Sequence, residues 1–436
     1  MSLTRELEGK AIEKTTIDRV YWRLIPLLFG VVFLAGLDRS NISFAALRMD
    51  HAIGLTPAMF GFGGSVFFFS YMFCGIPNNL IAKWCGVNRW IACMTIFCGL
   101  TSCFFAYIKG ANSFYLTRFI LGIFEAGILP GLALYIMFWF PKKYRALAIG
   151  GYMFAAHASL VVGSPLAAVI MVTTDHFLGL QGWRWMFQIE GICTVIYGIF
   201  LVFLLPENPG KALWLRHGQQ NWLQTSLNTE AMALRGNKGF HLSQVIFDSH
   251  VWRLGILFGC ALVGIYGLII WLPQIIKEMG HLGFYQVAFL SAVPNFFGAC
   301  GVLVISYSAD RMRDRKNHLG VVFLVASVLL IASAFVPDVK ISYALLCVAC
   351  FSVFSSPPLF WCLATEMMTG MGAVIAIPFI NSIAQFGGLI GPWMTGLIKS
   401  ETGNFHLCLA AYSGFLIVSA LISFSLKPPV ISNGVG

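Results

Sequence analysis

Charged residues are scarce in this sequence. Only 11% of its 436 residues are Asp, Glu, Lys or Arg, 58% are hydrophobic, and the mean hydropathy is +0.79. Soluble domains carry about 25% charged residues. The composition therefore excludes a soluble globular protein and indicates an integral membrane protein.

The sequence also lacks the usual signatures of catalysis, metal binding and disulfides. Of its twelve cysteines, only Cys347 and Cys350 are closely spaced, and they lie in an apolar stretch. They are typical of small buried hydrophobic residues rather than of disulfides or metal ligands. No phosphate-binding P-loop and no Ser-His-Asp set is present, which argues against ATP-driven transport and against an enzyme. The polar segment from Met1 to Arg19 does not resemble a cleaved signal peptide. We expect no cofactor.

Long apolar runs recur along the whole chain, and they lack the alternation of barrel strands. We predict an all-α integral membrane protein with twelve transmembrane helices, at 22–46, 57–80, 89–108, 113–138, 146–172, 185–205, 252–276, 284–307, 317–336, 341–364, 372–398 and 404–426.

The predicted membrane topology accounts for the net charge of +10, because most of the positive residues fall in cytoplasmic segments. The charge therefore gives no reason to expect a nucleic-acid partner. With the N-terminus inside, 20 of the 28 Lys and Arg residues fall in cytoplasmic segments, six fall outside, and two lie in the membrane. Lys and Arg collect in cytoplasmic loops of membrane proteins. We therefore expect a multi-pass protein of the cell inner membrane with both termini cytoplasmic.

The predicted helices divide six and six around one polar stretch. We expect an N-terminal half at 1–205, a cytoplasmic central loop at 206–251 and a C-terminal half at 252–436. The halves resemble weak repeats, because helix 5 carries Gly163-Ser-Pro165 and helix 11 carries Gly391-Pro392. Parallel six-helix repeats around a midplane site form one large class of transporters.

Two opposite charges interrupt the fourth predicted helix. Arg118 and Glu125 are seven residues, or two turns, apart, so they share a face about 10 Å from each other along the axis. That spacing is too long for a relaxed direct ion pair, so each needs another partner. Asp38 and Arg39 add a second charged pair in helix 1. Intramembrane ionisable residues are usually functional, although a purely structural network between helices is the alternative.

Several motifs resemble those of a known family. Twelve helices and the loop Asp310-Arg311…Arg315 are similar to the major facilitator superfamily, although Lys83 and Trp84 replace the Asp and Arg usual in the first half. Finer motifs resemble the anion:cation symporter family, whose members take up organic acids. They run from Phe33 to Ile42, Arg118 to Gly131, Phe138 to Pro141, Gly182 to Gly191 and Leu205 to Pro209.

The resemblance implies roles for individual residues. Arg39 and Arg118 would face the substrate anion, and Glu125 and Asp38 would bind protons. The remaining implied roles are substrate contact for Tyr71, Trp361 and Asn381, and gating for the loop residues Asp310, Arg311 and Arg315.

The chemistry of the charged residues fits these roles, with alternatives. A guanidinium offers a planar fork of donors to a carboxylate. Burial favours the protonated form of Glu125, whereas a nearby Arg favours the carboxylate. A substrate that engages Arg118 would therefore promote protonation. For Asp38 and Arg39 the alternative is an internal ion pair within helix 1.

The uncharged candidates also have simpler explanations. Tyr71 could be ordinary aromatic packing, and Asn381 could hydrogen-bond between helices. Two prolines, Pro357 and Pro358, are expected to break the helix before Trp361 and expose backbone groups to a cavity.

Two further polar residues are assigned structural roles. We expect a neutral His157 to pack between helices. We expect Glu190 to be an interfacial anchor paired with Arg184.

Together these features predict a secondary transporter that imports a small organic anion with protons by alternating access. The expected substrate is a sugar acid, a tartrate-like dicarboxylate or an aromatic carboxylate, and the expected state is a monomer in the bilayer. The alternatives are an organic-anion exchanger or an exporter of amphipathic compounds. A non-transporting sensor would need a larger soluble domain than the central loop offers.

The charge bias makes a direct prediction about topology. In a variant stripped of native cysteines, one cysteine introduced into the central loop should react with a membrane-impermeant thiol reagent only from the cytoplasmic side. Intact cells should protect it, and inverted vesicles should expose it. Labelling in intact cells would overturn the orientation.

Overall fold

The structure is a computed structural model that describes residues 2–235, 247–280, 282–312, 314–368 and 372–426. This part of the chain is almost entirely helical and contains no β-strand. Its helices are α1 Ser2–Ile53, α2 Pro57–Cys85, α3 Val87–Phe105, α4 Ala111–Glu125, α5 Ile128–Trp139, α6 Lys142–Thr173, α7 Gly182–Leu204, α8 His217–Arg235, α9 Ser249–Met279, α10 Phe284–Met312, α11 Arg315–Phe335, α12 Val339–Met367, α13 Gly372–Thr402 and α14 His406–Ser425.

The predicted all-α membrane class is confirmed. Within the described residues, eleven helical segments are long and apolar enough to cross a membrane, with α4 and α5 together forming one of them. The remaining predicted span, 372–398, is the continuous helix α13. Helices are favoured here because a spanning segment must satisfy its own backbone hydrogen bonds.

The span predicted at 113–138 is confirmed as one membrane-crossing segment, Ala111–Trp139, but a turn interrupts its helix. Helix α4 ends at Glu125 and α5 begins at Ile128, with Ala126 and Gly127 in a turn. Pro130 explains the break: it has no N–H, and its ring clashes with the carbonyl four residues earlier, at Ala126. Glu125 therefore lies at a helix end in the middle of the span.

The helix break expected at Pro357 and Pro358 is wrong, because α12 runs through both residues. Pro357 cannot donate to the Val353 carbonyl. The Ser356 hydroxyl donates to that carbonyl instead, at 2.7 Å. A neighbouring side chain thus satisfies the backbone group that proline leaves free.

Both halves use the same helix pairings. Three close pairings recur: α1 with α6, α2 with α4, and α3 with α7 in the first half, and α9 with α13, α10 with α12, and α11 with α14 in the second. The second half also packs α11 closely against α12. Counting α4–α5 as one span, both sets join the first span to the fifth, the second to the fourth and the third to the sixth. The structure thus has two six-helix pseudo-repeats.

The halves meet through α2 with α13, α6 with α10 and α1 with α9. Several of these contacts lie at the end of the bundle where α1 ends and α2 begins. We call this end of the bundle the closed end. There the Ala58 amide donates to the Ser400 hydroxyl at 3.0 Å, and the Arg48 guanidinium lies over the Phe284 ring at 4.7 Å.

An ion pair orders the loop beside the closed end. Arg48 donates to Asp175 at 2.7 Å, and the Gly182 amide donates to the other oxygen of that carboxylate at 2.9 Å. The Gly182 hydrogen bond, with Arg48 adding to it, holds the pKa of Asp175 below its usual range. The loop between α6 and α7 is thereby tied to the end of α1.

At the opposite end, the described part of the central loop packs on the N-terminal half. Glu230 on α8 accepts from Arg145 and from the Lys142 amide, both at 2.8 Å. Trp214 stacks on Trp139 with ring centroids 5.7 Å apart.

Gly61 sets the spacing between the halves at the closed end. A Cβ at Gly61 would collide with the Pro392 carbonyl and lie 3.1 Å from the Gly396 Cα. A Cβ at Gly75, on the same helix, would meet nothing within 4 Å. Gly61→Ala should therefore force α2 away from α13, at a cost of about 1–3 kcal/mol, while Gly75→Ala is the matched control.

The measurement is disulfide cross-linking of an Ala58→Cys/Ser400→Cys pair in a background without native cysteines, with thermal unfolding in detergent as a second readout. Gly61→Ala should reduce the cross-linking yield or lower the unfolding temperature, and Gly75→Ala should do neither. Equal behaviour of the two variants would show that this contact does not hold the closed end together.

Candidate functional site

Arg39 and Glu125 form a buried ion pair between α1 and the end of α4. The guanidinium donates to the carboxylate, whose side chain is only 5% exposed, against 20% for Arg39. The other carboxylate oxygen of Glu125 has no hydrogen-bond partner within the described residues. Arg39 is the separate partner that the spacing of Arg118 and Glu125 required.

Arg118 lies beside this pair and is fully buried. Its Nε donates to the Gly63 carbonyl at 3.3 Å, but Nη1 and Nη2 have no partner among the residues that the structure describes. A buried charged group without its hydrogen bonds is costly. Arg118 therefore retains two donors for an anion.

Phe67 on α2 joins the two arginines. Its ring centroid lies 4.6 Å from the Arg118 guanidinium and 5.3 Å from that of Arg39. Such cation–π contacts contribute about 2 kcal/mol when they are desolvated. Gly122 on α4 permits this arrangement, because a Cβ there would collide with the Phe67 carbonyl.

Two tyrosines from different halves lie close to Arg39. Its guanidinium is 5.8 Å from the ring centroid of Tyr71. Tyr266 on α9 interacts electrostatically with both Arg39 and Tyr71, and its ring packs on Phe68 with centroids 4.2 Å apart. The C-terminal half thus reaches the charged cluster through Tyr266.

Asp38 is buried on another side of α1 from its neighbour Arg39. Its Oδ1 accepts from the Ser102 hydroxyl of α3 at 2.8 Å, and its Oδ2 has no partner in the described part of the chain. The alternative of an internal ion pair between Asp38 and Arg39 is therefore wrong. Successive residues on a helix point about 100° apart, so each reaches a different neighbour.

The interfacial role expected for Glu190 is also wrong. Glu190 is 4% exposed and accepts a hydrogen bond from the Asn41 amide of α1. Arg184 instead donates to the carbonyls of Ala106 and Ile108. Glu190 follows Arg184 by six residues, about 1.7 turns, so the two side chains leave different faces of α7 and Glu190 points to the interior.

The candidates in the C-terminal half are held by neighbours of that half. The ring of Trp361 packs edge-on against Phe258 with centroids 5.4 Å apart. Asn381 accepts a weak hydrogen bond of 3.5 Å from Gln385, whose own carbonyl oxygen is buried without a partner among the described residues. These contacts of Trp361 and Asn381 are made within the C-terminal half.

His157 lies between the halves, as expected of a packing histidine. It lies on α6, which packs against α10 of the other half, and its ring is near the backbone of Phe354 on α12. The Phe354 carbonyl is the group that Pro358 leaves without a helical donor.

The expected gating loop is organised around Arg315 at the start of α11. Arg315 donates to Asp310 at 2.7 Å and also to Glu366 on α12. Arg311 is exposed. Asp314 caps α11, and hydrogen bonds from Asn317 hold its pKa below the usual range. The loop therefore ties together the ends of α10, α11 and α12.

Some residues of the cluster were missed from the sequence. Phe67 precedes Tyr71 by four residues and so lies on the same helical face, a signal that could have identified it. The same signal exists for Gln385, four residues after Asn381, and for Asn41, three residues after Asp38. Tyr266 and Ser102 carry no comparable signal, because the residues that they contact come from other helices.

Chemically, the N-terminal cluster can bind an anion and exchange a proton. Arg118 offers unpaired donors, and the Arg39–Glu125 pair can open when a competing carboxylate or a proton arrives. Within the described residues, no group of His, Cys, Asp and Glu side chains could hold a metal ion.

Comparison with known proteins agrees with this architecture. The chain is 37% identical over 433 residues to a protein of Agrobacterium vitis named "Putative tartrate transporter", covering 99% of this chain and 98% of that protein. It is 32% identical to a quinolone resistance transporter of Acinetobacter baumannii, covering 94% and 95% of the two chains. The Escherichia coli xylose transporter XylE, in an inward open conformation, has a similar fold, with a TM-score of 0.73 at 14% identity over 95% of this chain and 98% of that one.

A family model supplies the assignment. The model for the Major Facilitator Superfamily matches residues 28–392, a range that spans parts of both helical halves and includes every candidate residue discussed above. The chain is therefore a membrane transporter rather than an enzyme, and it belongs to the Major Facilitator Superfamily.

Proposed function

We propose that this transporter imports a small organic anion together with protons, by alternating access of its two halves. The observation that carries the proposal is Arg118, fully buried with both Nη donors unpaired beside the Arg39–Glu125 ion pair. Two guanidinium groups in one cluster favour a substrate with carboxylate groups.

The ion pair supplies a mechanism for coupling. A substrate carboxylate that binds Arg118 also competes for Arg39, and it weakens the attraction that keeps Glu125 ionised. A carboxyl buried without a cation partner is more stable when protonated. Substrate binding and protonation of Glu125 therefore favour each other, which is the thermodynamic requirement for symport.

The relatives indicate which acids to test first. The Agrobacterium vitis relative is named for tartrate, a dicarboxylate whose two ends could each engage one arginine. A tartrate-like dicarboxylate is therefore the first candidate, followed by sugar acids and aromatic carboxylates.

The contacts between the halves support the alternating-access part. The Lys and Arg distribution favours an orientation in which the closed end faces outward. Import then requires the closed end to open. The glycine contacts at α2 and α13 are the ones that must separate.

A second candidate function is export of amphipathic compounds. It is favoured by the 32% identity to the quinolone resistance transporter. The two functions differ in cells, because expression of an exporter lowers accumulation of a fluoroquinolone, whereas expression of an importer raises uptake of a labelled organic acid. The buried arginines favour a substrate with a carboxylate in either case, and they do not decide the direction of transport.

Arg118→Lys tests the carboxylate site. An ammonium keeps the charge but loses the planar fork. With about 1.5–3 kcal/mol for a hydrogen bond to a charged group, substrate affinity should fall about tenfold to a hundredfold. The measurement is a thermal-shift titration with organic acids and their neutral amides, with exposed Arg253→Lys as the control. Wild-type affinity in Arg118→Lys would disprove the site.

Glu125→Gln tests the coupling. Gln mimics the protonated acid, so the variant should bind substrate and exchange it across a proteoliposome membrane in counterflow. It should not accumulate substrate when a proton gradient is imposed. Exposed Glu207→Gln is the matched control and should accumulate normally.

The same proteoliposomes report the number of protons. A monoanion entering with one proton moves no net charge, whereas with two protons a potential of 100 mV adds about 2.3 kcal/mol. Full gradient-driven accumulation by Glu125→Gln would exclude Glu125 as a coupling site. Loss of binding would instead make it a substrate contact or a structural residue.

A further inference from the structure

The Glu190 carboxyl is buried in the N-terminal half and has no role in the mechanism above. It is 4% exposed, one oxygen accepts from the Asn41 amide, and the other has no partner among the described residues. Asn41 is itself fully buried, and its own carbonyl oxygen is also unpaired in the described part of the chain.

Glu190 belongs to the same group of side chains as Asp38. Asn41 follows Asp38 by three residues, which places both on one face of α1. Asp38 interacts electrostatically with Glu190 and with Glu125. The carboxyls of Asp38 and Glu190 each receive one hydrogen bond from a neutral donor, Ser102 or Asn41, and each keeps one oxygen free.

A close approach of α3 and α7 creates this group. A Cβ at Gly191 would lie 2.7 Å from the Gly99 carbonyl and 2.8 Å from the Cys103 amide. Only glycine allows the two backbones to come so near. The approach brings Ser102 and Glu190, on neighbouring helices, to the same face of α1.

Among the described residues, no cationic side chain is recorded as an ion-pair or hydrogen-bond partner of Glu190. The titratable side chains around the pair are Arg39 on α1, Cys98 and Cys103 on α3, and Glu125 on α4. Arg39 is engaged by Glu125, and Arg118 lies over Phe67. Helix α6, which also packs on α7, has no titratable residue between His157 and Thr173.

A carboxyl in this setting is more stable as the neutral acid than as the carboxylate, because burying an unpaired charge is costly. Asn41 suits both protonation states. Its amide N–H donates to the carboxylate, and its free carbonyl oxygen can accept from the O–H of the acid.

We propose that Glu190, partnered by Asn41, is a third proton-binding carboxyl of this transporter, in addition to Asp38 and Glu125. It belongs to the group of side chains around Asp38 and not to the arginine cluster. The inference rests on the proposed proton symport. One proton binds the carboxylate to give the neutral acid, and the same proton leaves when α1 moves during the transport cycle.

The test measures protons taken up per substrate molecule, with a pH-sensitive dye inside proteoliposomes. Glu190→Gln keeps the shape and the hydrogen bond to Asn41 but cannot titrate. It should retain substrate binding and counterflow, while proton uptake falls by about one per substrate. Glu190→Asp should restore the count. Exposed Glu401→Gln, the same substitution outside the cluster, should behave as the wild type.

The outcomes separate this inference from the proposed function. An unchanged proton count in Glu190→Gln overturns the inference and leaves proton symport intact. No proton movement by the wild type overturns both.

If Glu190→Gln does not insert into the membrane, Asn41→Leu is the second variant. It keeps the Glu190 carboxyl and removes the Asn41 amide, which can hydrogen-bond both the carboxylate and the protonated acid. It should shift the pH at which the infrared carbonyl band of buried protonated carboxyls appears. An unshifted band would overturn the inference.

Discussion

Five ionisable side chains share a region from which water is largely excluded, and their need for partners organises the N-terminal half. Arg39 and Glu125 pair directly, Arg118 lies over an aromatic ring, and Asp38 and Glu190 receive neutral donors. Removing one member of a buried pair costs about 3–5 kcal/mol. Such groups persist where a ligand or a proton can complete them.

Close approaches of helices make this arrangement possible. Gly122 brings α4 against α2, and Gly99 with Gly191 brings α3 against α7. Small residues at helix interfaces are typical of membrane proteins, where packing rather than the hydrophobic effect drives association. The same device recurs at the closed end, where Gly61 and Gly396 let the two halves touch. One kind of contact therefore positions the charges and also joins the two halves.

The two halves contribute unequally to the site. The charges lie on α1, α4 and α7, whereas the C-terminal half approaches them through Tyr266 and carries uncharged groups such as Trp361, Asn381 and Gln385. Under the proposed function, a substrate between the halves meets cations on one side and neutral polar or aromatic groups on the other. This asymmetry suits an acid with hydroxyl groups, because the charge and the hydroxyls can be recognised separately.

The sequence alone determined the membrane class, the positions of the spans and the presence of buried charges, because these depend on hydropathy and length. It also determined that Arg118 and Glu125 could not pair with each other, since spacing within one helix fixes their separation. Only the tertiary structure decided which partners they have. Arg39 pairs with Glu125 rather than with Asp38, and Glu190 with Asn41 rather than with Arg184, because each partner comes from another helix whose facing cannot be read from local spacing. Prolines show the same limit: Pro130 breaks its helix, whereas α12 continues past Pro357 because a neighbouring serine satisfies the freed carbonyl.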